Sequence, residues 1–238
     1  MNAIAGQRLL VIGGSSGIGL ATARRAAAEG AQVTIASRSG ERLRSALADL
    51  PEGVRAAQLD VLDEAAVERY FDDEAEWDHV VVSGAETPMG AVRVLPLDAA
   101  ELAMRSKFWG AYFVARAAKI PRHGSLTLVS GILSTRPRPA TGLQSAINAA
   151  LESLGRGLAL ELAPVRVNTV SPGIIATPLW DAMDPAEREA MYARQTHRLP
   201  VGRVGTPEDV AAAILFVSSN GFATGTTVHV DGGGLVAV

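Results

Sequence analysis

The sequence predicts an α/β fold, a single-domain doubly wound parallel sheet of about seven strands with helices on both faces. Three observations predict it. Short apolar runs alternate with helical patterns from one end of the chain to the other. Runs such as VVV at 80–82 and LTLV at 126–129 are apolar on both faces, as strands covered on both sides require. The first run also ends abruptly in glycines and serines that open a helix, the strand–turn–helix junction of the fold's ligand edge.

In chain order, Arg8–Ile12 is a leucyl and β-branched strand, and Ile18–Glu29, alanine-rich and free of proline, is the first helix. The alternation continues with a strand at Gln32–Ala36, a helix at Gly40–Leu50, a strand at Arg55–Leu59 and a helix at Glu64–Ala75. A strand at His79–Val82 leads to a long helix at Asp98–Lys119, and a strand at Ser125–Val129 leads to a helix at Ala146–Leu162. Strands at Val165–Thr169 and Thr227–Val230 flank a helix at Pro207–Val217. The 238 residues form one domain, 1–238, large enough for a sizeable core. Two stretches depart from the rhythm. STRPRPATG, Ser134 to Gly142, is an irregular proline–arginine loop at the functional edge. Pro172 to Gly205, with Trp180, Met183, Met191 and Tyr192 and a short helix at Pro185–Gln195, is longer than a crossover needs, and its 174–204 portion is read as a substrate lid.

Composition narrows the function classes. Hydrophobic residues make up 48% and charged residues 20%, and the net charge of −3 with no basic run argues against nucleic-acid or anionic-membrane partners. With no cysteine there is no disulfide framework, thiol nucleophile or cysteine zinc site, and no metal-ligand set is assigned. The chain enters its first strand within a few residues and has no run long enough to span a bilayer, so a cytoplasmic protein is expected.

The stretch LLVIGGSSGIG, 9–19, carries the chemistry. Gly13, Gly17 and Gly19 follow a G-x-x-x-G-x-G spacing, with Ser15, Ser16 and Ile18 between them. Glycines let the backbone approach a pyrophosphate, and the helix start offers free N–H groups and a positive dipole end. Several further motifs occur in the order of the short-chain dehydrogenase/reductase superfamily, which the chain resembles from end to end. GGSSGIG matches its glycine fingerprint; LDV at 59–61 resembles its adenine-binding pair. SPG at 171–173 with Thr177 resembles the loop that contacts the nicotinamide amide. GRVGTPEDVA at 202–211 and TGTTVHVDGG at 224–233 resemble its C-terminal helix and last strand. The resemblance implies a Rossmann-like nucleotide-binding domain and a cofactor set of Gly13, Ser15, Ser16, Gly17, Ile18, Gly19, Ser37, Arg38, Asp60, Val61, Ser83, Gly84, Ala85, Pro172, Gly173, Ile175 and Thr177. Within that set, Ser37 stands where an acid would hydrogen-bond a ribose 2′-OH, and Arg38 follows it; a guanidinium there pairs with a 2′-phosphate, so NADP(H) is expected.

The chain departs from the family at its catalytic Asn–Ser–Tyr–Lys tetrad. Aligning the A-A-L-E run of the 146–162 helix puts Gln144 at the tyrosine place and Asn148 at the lysine place. Gly131 falls at the serine place beside Ser130, and Lys107 at the asparagine place. Amides bind ribose or a carbonyl but deliver no proton at neutral pH. Lys107, Ser130, Gln144 and Asn148 are therefore the candidate catalytic residues, with Lys107 able to polarise a carbonyl or donate a proton if burial lowers its pKa; the alternative is a solvated lysine. Ser134, Tyr192 and His197 are weaker candidates. Small residues at Ala146, Ala149, Ala150, Ser153 and Gly157 fit the helix pairing by which the family forms homodimers or homotetramers. The sequence thus points to an NADP(H)-dependent oxidoreductase acting on a carbonyl or alcohol of a small molecule. The alternative is a non-catalytic NADP(H)-binding sensor or partner subunit.

Overall fold

In the computed structural model, which describes residues 4–237, seven parallel strands form one sheet in the order β3-β2-β1-β4-β5-β6-β7. They are β1 Arg8–Ile12, β2 Gln32–Ser37, β3 Arg55–Gln58, β4 His79–Val82, β5 Ser125–Val129, β6 Arg166–Pro172 and β7 Thr227–Val230. Strand side chains alternate between faces, so each strand feeds two cores. Leu10, Ile12, Val80, Val82, Leu126 and Leu128 face α3 (Glu64–Asp73), α5 (Gly110–Ala117) and α6 (Gly142–Glu161), meeting Phe71, Val114 and Leu151. Leu9, Val11, Val33, Ile35 and Val81 face α1 (Gly17–Ala28), α2 (Gly40–Ala48) and α8 (Pro207–Ser219), meeting Ala23, Leu43 and Ile214.

The strand order reverses between β1 and β4, which opens a crevice at their carboxyl ends. Helix starts differ around that edge. Side chains of Ser39, Asp63 and Thr206 accept backbone N–H bonds at the starts of α2, α3 and α8, as does Asp184 for α7 (Pro185–Arg198). Ser16 and Thr141, which precede α1 and α6, make no such bond. Both helices that begin at the crevice therefore leave N–H groups unclaimed.

Most element ends shift by a few residues from the sequence reading, and three differences bear on the site. β6 runs to Pro172 because Ser171 and Pro172 stay in register with His229 and Val230. α6 starts at Gly142, held by a turn in which Thr141 Oγ1 accepts from Arg138 N and donates to Arg138 O, at 2.9 and 2.7 Å. The helix read at 98–119 is three pieces: α4 (Leu97–Met104), a π-turn at Arg105–Trp109 and α5. Such widened turns concentrate at functional sites, and Lys107 sits at the centre of this one.

Candidate active site

The cofactor cradle is built by glycines that touch. A Cβ on Gly13, whose φ is +81°, would lie 2.2 Å from Gly84 N, and one on Gly84 would lie 2.7 Å from Gly13 Cα. A Cβ on Gly19 would lie 2.2 Å from Gly13 O. The β1–α1 turn is thereby pressed against the end of β4, and only glycine fits at the contact. Gly17, at φ +51°, faces the methyl of Thr177, so the loop after β6 forms the opposite wall. Among the described residues, no acceptor takes the N–H groups of Gly17, Ile18 or Gly19. A close-approach cradle beneath an uncapped helix N-terminus is what a dinucleotide pyrophosphate requires, and the residues present fit one.

The adenosine end lies at β2 and β3. Ser15 Oγ donates to Ser37 Oγ at 3.2 Å. Arg38 reaches across to Glu86, Nη2 to Oε2 2.9 Å, with both side chains about half exposed. One oxygen of Asp60 accepts from Leu62 N at 3.0 Å; the cap of α3 is Asp63, so Asp60 is not a capping residue. Val61 packs against Gly110, where a Cβ would meet it at 2.8 Å. Ser83, Gly84 and Ala85 continue β4 along the crevice, Ser83 N and Gly84 N both donating to Ile12 O. At the far end, Pro172 closes β6, Gly173 lies against Asp231, and Ile175 bridges to Gly205 while its carbonyl accepts from Trp180 Nε1. Ser171 Oγ is buried there without a partner.

The four catalytic candidates converge. Lys107 Nζ donates to Ser130 O at 2.8 Å and to Asn148 Oδ1 at 2.7 Å. Lys107 is half-buried with its ammonium held by these two acceptors, and burial pushes its pKa down to about 8 against the opposing pull of the Glu152 carboxylate. This lysine is not a solvated one. With Oδ1 engaged, Asn148 turns its Nδ2 towards Gly131, where a side chain would collide at 2.9 Å, and no protein acceptor takes that N–H. Gln144 donates Nε2 to the Pro88 carbonyl, and its Oε1 is buried without a partner.

One functional group escaped the sequence reading. Glu152 is buried one turn beyond Asn148, and one of its oxygens accepts from Ser130 Oγ at 2.8 Å and from Ser134 Oγ at 2.6 Å. Its spacing carries the signal, since Gln144, Asn148 and Glu152 recur every four residues and so share one face of α6. Both serine protons point into this carboxylate. Tyr192 and His197 lie on α7, and neither enters this group.

Residues 12–234 match the family model described as enoyl-(acyl carrier protein) reductase, and the chain belongs to that family, within the short-chain dehydrogenase/reductase class of oxidoreductases. Among curated relatives, it is 33% identical over 250 residues to the short-chain dehydrogenase/reductase ATR9 of Stachybotrys chlorohalonatus, covering 98% of each chain. A solved small-chain dehydrogenase in complex with NADPH superposes with a TM-score of 0.83 at 36% identity, over 97% of this chain and 99% of that one. The MalC reductase/Diels–Alderase of Malbranchea aurantiaca superposes with a TM-score of 0.89 at 28% identity, over 98% and 97%.

Proposed function

We propose that the protein is an NADP(H)-dependent oxidoreductase acting on the carbonyl or alcohol of a small molecule, through a site in which the usual lysine and asparagine have exchanged helices. The observation that carries this reading is the 2.7 Å bond between Lys107 Nζ and Asn148 Oδ1 beside the glycine cradle. The positive charge has moved from α6 to the π-turn, and the amide stands in its place. The cofactor, when bound, supplies or accepts the hydride. Gly13, Gly17, Ile18 and Gly19 hold its pyrophosphate, Ser15, Ser16, Ser37 and Arg38 its 2′-phosphate, and Asp60 and Val61 its adenine. Ser83, Gly84 and Ala85 line its path, and Pro172, Gly173, Ile175 and Thr177 hold the nicotinamide end. Asn148 offers an N–H to the cofactor ribose or to the reacting oxygen. Lys107, directly behind it, strengthens that donor and places positive charge near the oxygen where negative charge develops. Gln144 fixes the Pro88 loop, and residues 174–204 cover the cleft. A homodimer or homotetramer is supported by exposed Trp109 and Tyr112 on the outer side of the π-turn and α5.

One observation favours a second reading, cofactor binding without turnover: Gln144 is spent on the Pro88 carbonyl, so the tyrosine place holds no proton donor. Fluorescence titration with NADPH and NADH, followed by a carbonyl and alcohol panel, separates the two. NADPH binding with substrate-dependent oxidation supports the first reading. Binding without turnover supports the second, and absence of NADPH binding refutes both.

A further inference from the structure

The loop between β5 and α6 carries two arginines that no carboxylate among the described residues pairs with. Arg136 and Arg138 are both partly buried, and the exposed Arg198, the last residue of α7, completes the group. Backbone contacts fix the loop that carries the first two. Arg136 donates to the Gly234 carbonyl, and Gly234 packs against Leu199, the neighbour of Arg198. The main chain of Arg138 is fixed by its N–H and its carbonyl, both bonded to Thr141 Oγ1. Between them Ala140 has a φ of 62°, the only left-handed non-glycine residue among those described. A strained residue persists only where its surroundings enforce it. Arg138 is partly desolvated and pressed further by Arg198 and Arg136, which moves its pKa down.

A partly buried guanidinium ordinarily faces a carboxylate. None of these three is paired with one among the described residues. Asp231, the acid nearest in the chain to Gly234, is engaged with the N–H groups of Gly233 and Leu235. The start of α6 adds to the deficit, because Thr141 is turned back onto Arg138 and leaves the N–H groups of Gly142, Leu143 and Gln144 without protein acceptors. Two half-buried arginines, the exposed Arg198 that acts on Arg138, and the uncapped start of a twenty-residue helix thus put positive charge beside the end of α6 that carries Gln144.

We infer that Arg136, Arg138 and Arg198 form an anion subsite for the substrate, which is a small carbonyl compound or alcohol bearing a carboxylate or phosphate. This deepens the proposed function and rests on it for the reacting end; the subsite itself requires only the arginines. The lid contributes Arg198, so an anionic substrate ties α7 to the β5–α6 loop.

The test has a binding arm and a turnover arm. With the cofactor site saturated by NADP+, calorimetric titration with benzene-1,4-dicarboxylate and inorganic phosphate should show binding that Arg138→Ala and Arg198→Ala abolish. Arg138→Lys should retain part of it, and Arg24→Ala on α1 should leave it intact. In turnover, 4-formylbenzoate should exceed its methyl ester in kcat/KM by roughly ten- to a hundredfold, with the preference lost in Arg138→Ala. Absence of binding by both anions, or binding indifferent to Arg138→Ala, overturns the subsite. Turnover without preference for the acid does the same while sparing the oxidoreductase reading. Anion binding with no turnover of any aldehyde keeps the subsite and refutes that reading.

Discussion

Replacing Lys107 with methionine tests the centre of the site through stability as well as activity. The folded lysine titrates near 8 and the unfolded one near 10.5, because burial disfavours its charge. Between those values the unfolded chain binds more protons than the folded one, so Lys107 makes wild-type stability rise with pH across this window. The cost of burying its charge is present in full below about pH 8 and relieved above 10.5. The displacement corresponds to about 3 kcal/mol as an upper figure. Methionine removes that cost but strands Ser130 O and Asn148 Oδ1, each worth about 1–3 kcal/mol once its charged donor is gone. At pH 7 the two effects nearly balance. Towards pH 10 the wild type gains and the variant does not. Urea unfolding of both proteins at intervals from pH 7 to 10 should therefore show their difference widening by 2–3 kcal/mol in favour of wild type. Subtracting one from the other removes titrations common to both. Parallel stability–pH curves would refute an enclosed ammonium at this position.

Three other outcomes follow from the same geometry. Arg38→Ala should weaken NADPH binding about tenfold and leave NADH unchanged, while Glu86→Gln, which frees the guanidinium, should tighten NADPH; equal effects on both nucleotides in fluorescence titration would refute a 2′-phosphate role. His79 is buried, with Nε2 donating to Gln7 Oε1 at 2.7 Å and Nδ1 accepting from Ser125 Oγ at 2.9 Å. Burial, with Arg166 adding to it, holds its pKa near 4, so stability present above pH 6.5 is lost as pH falls to 4, by about 3 kcal/mol, and His79→Gln should flatten that acid limb in urea titrations. Asn148→Lys alone would set a second ammonium where the amide now accepts from Lys107, at a cost on the order of 4 kcal/mol, whereas the exchange Lys107→Asn/Asn148→Lys should recover most of that in thermal unfolding.

The sheet was legible because parallel strands buried on both faces must be apolar at consecutive positions. The runs at 80–82 and 125–129 therefore fall where β4 and β5 do. Boundaries set by distant partners were not legible. Ser171 and Pro172 read as loop residues beyond a strand ending at Thr169, yet register with β7 keeps them extended. The π-turn left no mark in composition, since Arg105–Trp109 contains neither glycine nor proline and no strong helix breaker. Its cause is tertiary: Gly110 must lie flush on Val61 while Ser106 Oγ accepts from Glu86 N and Lys107 reaches β5.

The candidate site divides along the same line. Its glycines were readable because close backbone approach excludes every other residue, a constraint that local sequence records. The family resemblance singled out Lys107, Gln144 and Asn148, but it did not give their geometry. Whether a lysine on a helix is solvated or enclosed depends on what lies opposite it; here that is Asn148 and the carbonyl of Ser130, 41 and 23 residues away. On the proposed exchange of lysine and asparagine, four separate substitutions are a misleading description. Each residue taken singly removes a function, whereas the pair keeps an ammonium and an amide in hydrogen bond and changes only which helix carries the charge. The consequence is directional. From the π-turn the ammonium is held by the Ser130 carbonyl and Asn148 Oδ1, so on the proposed reading it acts on a bound carbonyl by polarising the amide that it donates to, and the neutral amide of Gln144 supplies no proton.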